Sequence, residues 1–233
     1  MDARFGAAAV AEREHSCFFR YVESMPKVTS EYRAERRAHI MAAARRCFVR
    51  EGFHASSMQD LVGEAGMSSG AVYRYFPSKD AVIEAIAADN LELVVAVLAR
   101  AIGEGASPQA AIAAVLEFVT VRHGEDGFAA IAVLVWSEAL RNPTLAAHLR
   151  DAIATALATL SGNAHDARDG GLDGTHTAKD AHRDPTALAE VLLCVLPGYL
   201  MRLALGGSEA VANIPAAVER VLTVSRTSLA HLN

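Results

Sequence analysis

The chain has 233 residues, 52% of them hydrophobic and 21% charged, with 22 basic against 27 acidic residues and a formal charge of -5. This composition excludes intrinsic disorder, which needs low hydrophobicity and high net charge, and the length allows one large or two modest domains. The acidic total weighs mildly against a nucleic-acid binder, whose footprint is usually basic. Cys17, Cys47 and Cys194 form no CxxC pair, which suits a reducing cytoplasm.

Residues 1–28 lack strong periodicity and read as a poorly ordered extension, with no secretory signal and with Met25 as a second candidate start. Over 31–51, Ile40, Ala43, Ala44, Cys47 and Phe48 recur at helical spacing. Arg33, Arg36, Arg37, Arg45, Arg46 and Arg50 occupy the other face, and Gly52 sits where a left-handed cap is expected. Ser56 and Ser57 can cap a short helix whose apolar side is Met58, Leu61, Val62 and Ala65. Gly66 and Met67 make a tight turn, and Ser68 caps a third helix reaching about Tyr75. Pro77-Ser78 breaks it, and Ser78 caps a long helix to about Ile102.

Further helices are expected at 108–123, 127–141 and 143–160, the last two joined by Asn142-Pro143. The glycine- and aspartate-rich segment 161–184 reads as a flexible loop. Final helices at 185–205 and 208–231 are split by Gly206-Gly207. Strand signals are almost absent, so the expected fold is all-α with about nine helices. The apolar stretches 131–136 and 191–195 fall far short of the roughly 18 to 20 residues that cross a bilayer, so no membrane partner is expected.

Two short helices joined through a glycine-containing turn form a helix-turn-helix, whose second helix enters the major groove of DNA. Gly66 permits the positive φ of the turn. Ser68 and Ser69 place hydroxyls and free N–H groups at a helix N-terminus, where phosphate or a base edge binds. Gly70 lets the backbone approach the groove, and Ala71 offers a methyl to a thymine methyl. Tyr73, Arg74 and Tyr75 extend polar tips, and Lys79 can add a phosphate contact. Ser57 and Arg45 are further candidates for the DNA backbone, because a first helix with long basic side chains crosses it. Met58, Leu61, Val62, Ala65, Val72 and Phe76 are core residues.

Within 57–80, Ala65-Gly66, Ser68, Gly70, Tyr73, Phe76, Ser78 and Lys79 stand at fixed spacing. This pattern resembles the DNA-binding signature of the TetR family of bacterial transcriptional regulators, and the resemblance covers residues 31 to about 85. It implies a helix-turn-helix domain over 29–77 and a ligand-binding and dimerisation domain over 78–233. It also implies a cytoplasmic homodimer joined through its last two helices, a pseudo-palindromic double-stranded operator, and a repressor released by a small apolar effector.

In the larger domain, Phe118, Arg122, Trp136, Glu138 and Tyr199 are amphipathic or polar groups inside apolar helices, and so are candidate pocket residues. The alternative is that Trp136 fills core and Glu138 pairs with Arg141 or Arg122. Pro197 should kink its helix. His165, His176 and His182 match no metal-ligand spacing, so neither metal nor cofactor is expected. No GxSxG, HExxH or phosphate-cradling loop occurs, and an enzyme is not expected. Arg122 with Glu138 is the only acid–base pair that could argue otherwise. A helical small-molecule-binding module without specific DNA regulation is the competing reading. The charge divides accordingly: 26–80 carry nine basic and six acidic residues, whereas 81–233 carry ten and seventeen.

Overall fold

The computed structural model describes residues 29–166 and 185–221. The expectations for 1–28, for the loop from 167 to 184 and for the helix beyond 221 lie outside the described residues. By contact the chain divides after Ala38 into two compact units. In the first, described from Thr29, the Arg36 guanidinium lies 5.1 Å above the Tyr32 ring and donates to its hydroxyl. The second unit holds both the helix-turn-helix and the long helices.

Nine α-helices and no strand occur among the described residues. They are α1 Ser30–Ala55, α2 Met58–Ala65, α3 Ser69–Tyr75, α4 Lys79–Gly103, α5 Pro108–Asp126, α6 Phe128–Ala139, α7 Pro143–Asp166, α8 Pro185–Gly206 and α9 Ile214–Val221. Five of their starts, those of α2, α3, α4, α5 and α7, follow from side-chain caps. The hydroxyls of Ser57, Ser68, Ser78 and Ser107 accept from the N–H groups of Asp60, Ala71, Ala81 and Ala110. The Asn142 side-chain oxygen does the same for Thr144 and Leu145 at the head of α7. Each satisfies a first-turn donor that would otherwise lack a partner.

Three boundaries differ from expectation. Gly52 does take a positive φ of 78° but with ψ 171°, so α1 kinks there and resumes to Ala55 instead of ending in a left-handed cap. Helix α7 continues through Gly162 to Asp166, because one interior glycine costs only about 1 kcal/mol of helix propensity. The expected helix from 208 is instead a 3₁₀ turn, Ser208–Val211, followed by α9. Pro215 cannot donate an N–H, so it is accommodated only in a first turn.

Two apolar cores result. One joins Ile40, Phe48, Leu61, Val72 and Phe76 to Val82 and Ile86 of α4, Ile131 and Val135 of α6, and Leu145 of α7. The other, among α4 to α9, contains Leu98, Ile112, Leu116, Phe128, Leu160, Tyr199 and Leu203. Trp136 packs against both. The corner between α5 and α6 lies close to α1: a Cβ on Gly127 would come within 2.5 Å of Val49 Cγ2. Helix α8 departs from the expectation of short apolar runs. Its window Ala189–Gly206, with mean hydropathy 1.5, is long and apolar enough to cross a membrane. Tyr199, Leu200 and Leu203 of that window are nevertheless buried in the helical core.

Candidate functional site

Helix α2 is fixed by a capping box: the Ser57 hydroxyl and N–H both donate to the Asp60 carboxylate, and the Ser57 oxygen caps Asp60 N–H. The Ser57 hydroxyl, with its backbone N–H, therefore holds the Asp60 carboxyl below the usual range. Gly66 closes α2 at φ 61°, ψ 27°, the left-handed conformation that its missing side chain permits. The chain then re-enters helix at Ser69. Val72 is fully buried and Phe76 nearly so, which pins one side of α3 to the core.

The opposite side of α3 is open. Ser68, Ser69, Gly70, Tyr73 and Arg74 are exposed, and an added Cβ on Gly70 would meet no atom within 4 Å. Positions 69, 70, 73 and 74 fall on one face of a helix. The Arg74 guanidinium lies 5.8 Å from the Tyr75 ring centroid. Ala71 and Tyr75 are half-buried, and Tyr75 packs partly against the core. The structure thus brings together five of the expected DNA-contacting residues as a solvent-facing patch at a helix N-terminus.

Two expected contacts lie elsewhere. Arg45 is only 4% exposed. Its guanidinium donates to Asp89 of α4 at 2.8 Å and lies 3.8 Å from Asp126 of α5. It is enclosed by acids and cannot also reach DNA in this arrangement. The Lys79 ammonium donates to the Phe53 and Ser56 carbonyls at 2.6 and 2.7 Å. It satisfies carbonyls at the C-terminal end of α1, where a cation is favoured. Ser57 keeps its hydroxyl within its own cap. Arg46 and Arg50, on the expected basic face of α1, are tied to Glu64 of α2, whose carboxyl is lowered chiefly by the Arg46 hydrogen bond.

A cavity of about 570 Å³ opens among α4, α6, α7 and α8. Its wall is almost wholly apolar, with Leu91, Val94, Phe128, Leu149, Leu157 and Leu196 among its residues. Of the five expected pocket residues, only Trp136 lines it. Tyr199 is 3% exposed, and its hydroxyl shares a 2.6 Å hydrogen bond with Thr120. Burial raises the Tyr199 phenol above its ordinary pKa. Phe118 packs edge-on against Phe128. Arg122 donates to Asp126, and Glu138 lies 3.3 Å from His54 instead of pairing with Arg141 or Arg122. These four serve packing and ion pairs outside the cavity wall.

Residues 40–86 match the model of the bacterial regulatory proteins of the tetR family. The match is confined to the helix-turn-helix segment, which resembles the DNA-binding part of that family. The HTH-type transcriptional repressor Rv1474c of Mycobacterium tuberculosis is 40% identical over 76 residues, which cover 33% of this chain and 41% of that protein. The HTH-type transcriptional regulator UidR of Escherichia coli is 33% identical over 119 residues, covering 49% and 57%. The chain spans between a third and just over half the length of the curated relatives it matches. Among solved structures, GusR of Salmonella enterica superposes with a TM-score of 0.62 at 29% identity, over 84% of this chain and 97% of that one.

The sequence reading missed Asp89 and Asn90, which are neighbours on α4. Asp89 holds Arg45, whereas Asn90 is 5% exposed and stands in the cavity wall. Their signal was available as two polar residues interrupting the apolar run of α4 (Ile83, Ile86, Ala87, Leu91, Val94).

Proposed function

We propose that the chain is a TetR-type, DNA-binding transcriptional repressor of the bacterial cytoplasm, acting as a homodimer and released by a small, largely apolar effector. The observation that carries this reading is the open face of α3. Hydroxyls, an uncovered glycine, an aromatic hydroxyl and a guanidinium with no ion pair among the described residues share one side of a helix pinned by Val72 and Phe76. That is the surface a recognition helix needs: phosphate and base-edge donors around a backbone that nothing shields.

The dimer reading is supported by α8. Val191, Cys194, Gly198, Met201 and Leu205 are all exposed, at alternating spacings of three and four. Such a stripe is the seam that a second helix covers in a helix–helix interface. The described part of α9 instead packs Ile214 and Val218 against the chain's own core. The dimer reading therefore rests on α8, and the rest of the expected last helix lies outside the described residues. Two recognition helices so paired would meet half-sites one helical turn apart. The effector reading is supported by the cavity, whose wall includes α4, the helix that starts directly after the recognition unit.

The test is a gel-shift titration of the full chain against the DNA upstream of its own gene, with unrelated DNA as control. Specific retardation that weakens steeply with salt is expected, since each phosphate contact releases a counterion. Equal retardation of both DNAs would refute specific regulation. It would favour the alternative of a helical small-molecule-binding module.

A further inference from the structure

Among the described residues of the cavity wall, Asn90 is the one buried polar side chain; Glu190 and Cys194 are exposed, and Trp136 adds an indole N–H. Among the described residues, neither Nδ2 nor Oδ1 of Asn90 has a hydrogen-bond partner, although both atoms are sealed from solvent. A buried amide without partners is destabilising in an otherwise apolar setting, and native proteins rarely retain one without a use for it. Asn90 lines a cavity of about 570 Å³, within the range of small-molecule sites, and a rotation of its side chain would present the sealed amide to an occupant.

The chemistry of the wall constrains the occupant. An amide both donates and accepts, so its complement is a group that does the same: a carboxamide or a hydroxyl. Among the described residues no lysine, arginine or histidine lines the cavity, and its one carboxylate is Glu190. An anion placed beside Asn90 would be buried without a counter-charge, which is strongly unfavourable. Apart from Asn90, Glu190, Cys194 and the Trp136 N–H, the described wall is apolar, so most of the occupant must be apolar.

We propose that the cavity binds an uncharged, largely apolar molecule bearing one carboxamide or hydroxyl group, and that the Asn90 amide is the residue that selects that group. The proposal rests on the reading of this cavity as the effector site. It goes further by naming the ligand class and the discriminating residue.

Trp136 is the only tryptophan of the chain and lines the cavity, so its fluorescence reports occupancy without any need for DNA. The full chain would be titrated with decanamide and with decanoate at pH 7, and the titrations repeated with Asn90→Leu. Decanamide should bind about tenfold more tightly than decanoate, as one or two net hydrogen bonds allow. Asn90→Leu should abolish that preference while leaving the thermal midpoint equal or higher, because the change removes an unpartnered buried amide. Three results would each overturn the proposal: decanoate binding as well as decanamide, Asn90→Leu keeping the preference, or no saturable response to either probe. Release from DNA would be scored separately. Decanamide binding that needs Asn90 but leaves the DNA complex intact would uphold the ligand assignment while refuting the effector reading.

Discussion

Replacing Arg45 by methionine separates a structural role from a DNA contact. The guanidinium is buried, but its acids are not equally so: the Asp89 side chain is 45% exposed and that of Asp126 21%. Breaking a fully buried ion pair costs about 3–5 kcal/mol, whereas an exposed one contributes about 1 kcal/mol or less. Methionine retains most of the stem packing, and Asp126 keeps Arg122 as a partner. An intermediate loss of about 2 kcal/mol follows, which for a chain of this size lowers the thermal midpoint by roughly 4–8 °C. Asp89→Asn should cost less, and the double variant should show coupling of about 1 kcal/mol, since the two side chains share a hydrogen bond. Thermal unfolding of the four proteins measures this directly. A parallel salt titration of DNA binding should keep its wild-type slope in Arg45→Met. An unchanged midpoint together with a slope reduced by about one contact would refute the structural assignment and restore Arg45 to the phosphate backbone.

Gly70→Ala meets no atom within 4 Å, so it should fold as well as the parent and gain up to about 1 kcal/mol of helix stability. Gel shifts should nevertheless show at least about tenfold weaker DNA binding if Gly70 faces the groove (a methyl costing on the order of 1.4 kcal/mol there); retained affinity would place the groove-facing surface elsewhere. Lys79→Met removes two charged hydrogen bonds that hold the α1–α2 connection, a loss of about 2 kcal/mol in denaturant unfolding. Unchanged stability with weakened DNA binding would return Lys79 to the phosphate. The Glu64 carboxyl is held down by Arg46 and that of Asp60 by Ser57. Depressed carboxylates contribute stability above their unfolded values near 4, and that contribution disappears as pH falls through the lower folded values. The thermal midpoint should therefore drop below about pH 4, with a shallower fall in Glu64→Gln; identical pH profiles would refute the Glu64 contribution.

The local order of the helix-turn-helix was legible because short-range chemistry sets it. Serines at 57, 68 and 78 cap at the positions their spacing suggests, and Gly66 takes the left-handed turn. The roles of Arg45 and Lys79 were not legible, because a basic residue on a helix face looks the same whether it meets phosphate or a carboxylate 44 positions away. The cavity was harder still. Arg122, Glu138 and Tyr199 were conspicuous as polar residues in apolar helices, but each finds a partner outside the wall, in Asp126, His54 and Thr120. The wall itself is mostly ordinary leucine, valine and alanine from helices distant in sequence. Only their packing reveals a space.

The neighbouring positions 89 and 90 show how such a fold can transmit binding. Consecutive residues of an α-helix project about 100° apart. Asp89 meets Arg45 of α1, while Asn90 belongs to the cavity wall. Under the proposed function, a displacement of α4 that engages a ligand at Asn90 would also displace the carboxylate holding α1. The Lys79 clamp on Phe53 and Ser56 ties the start of α4 to the end of that same helix. Because α4 touches α1 at both places, a shift of α4 cannot be absorbed between them without breaking a charged hydrogen bond. Under the proposed function, the two contacts would convert ligand preference for one α4 position into a preference for one recognition-helix position. Coupling of this kind is reciprocal: under the proposed function, DNA that favours the Arg45–Asp89 arrangement must weaken effector binding by the same factor by which effector weakens DNA binding.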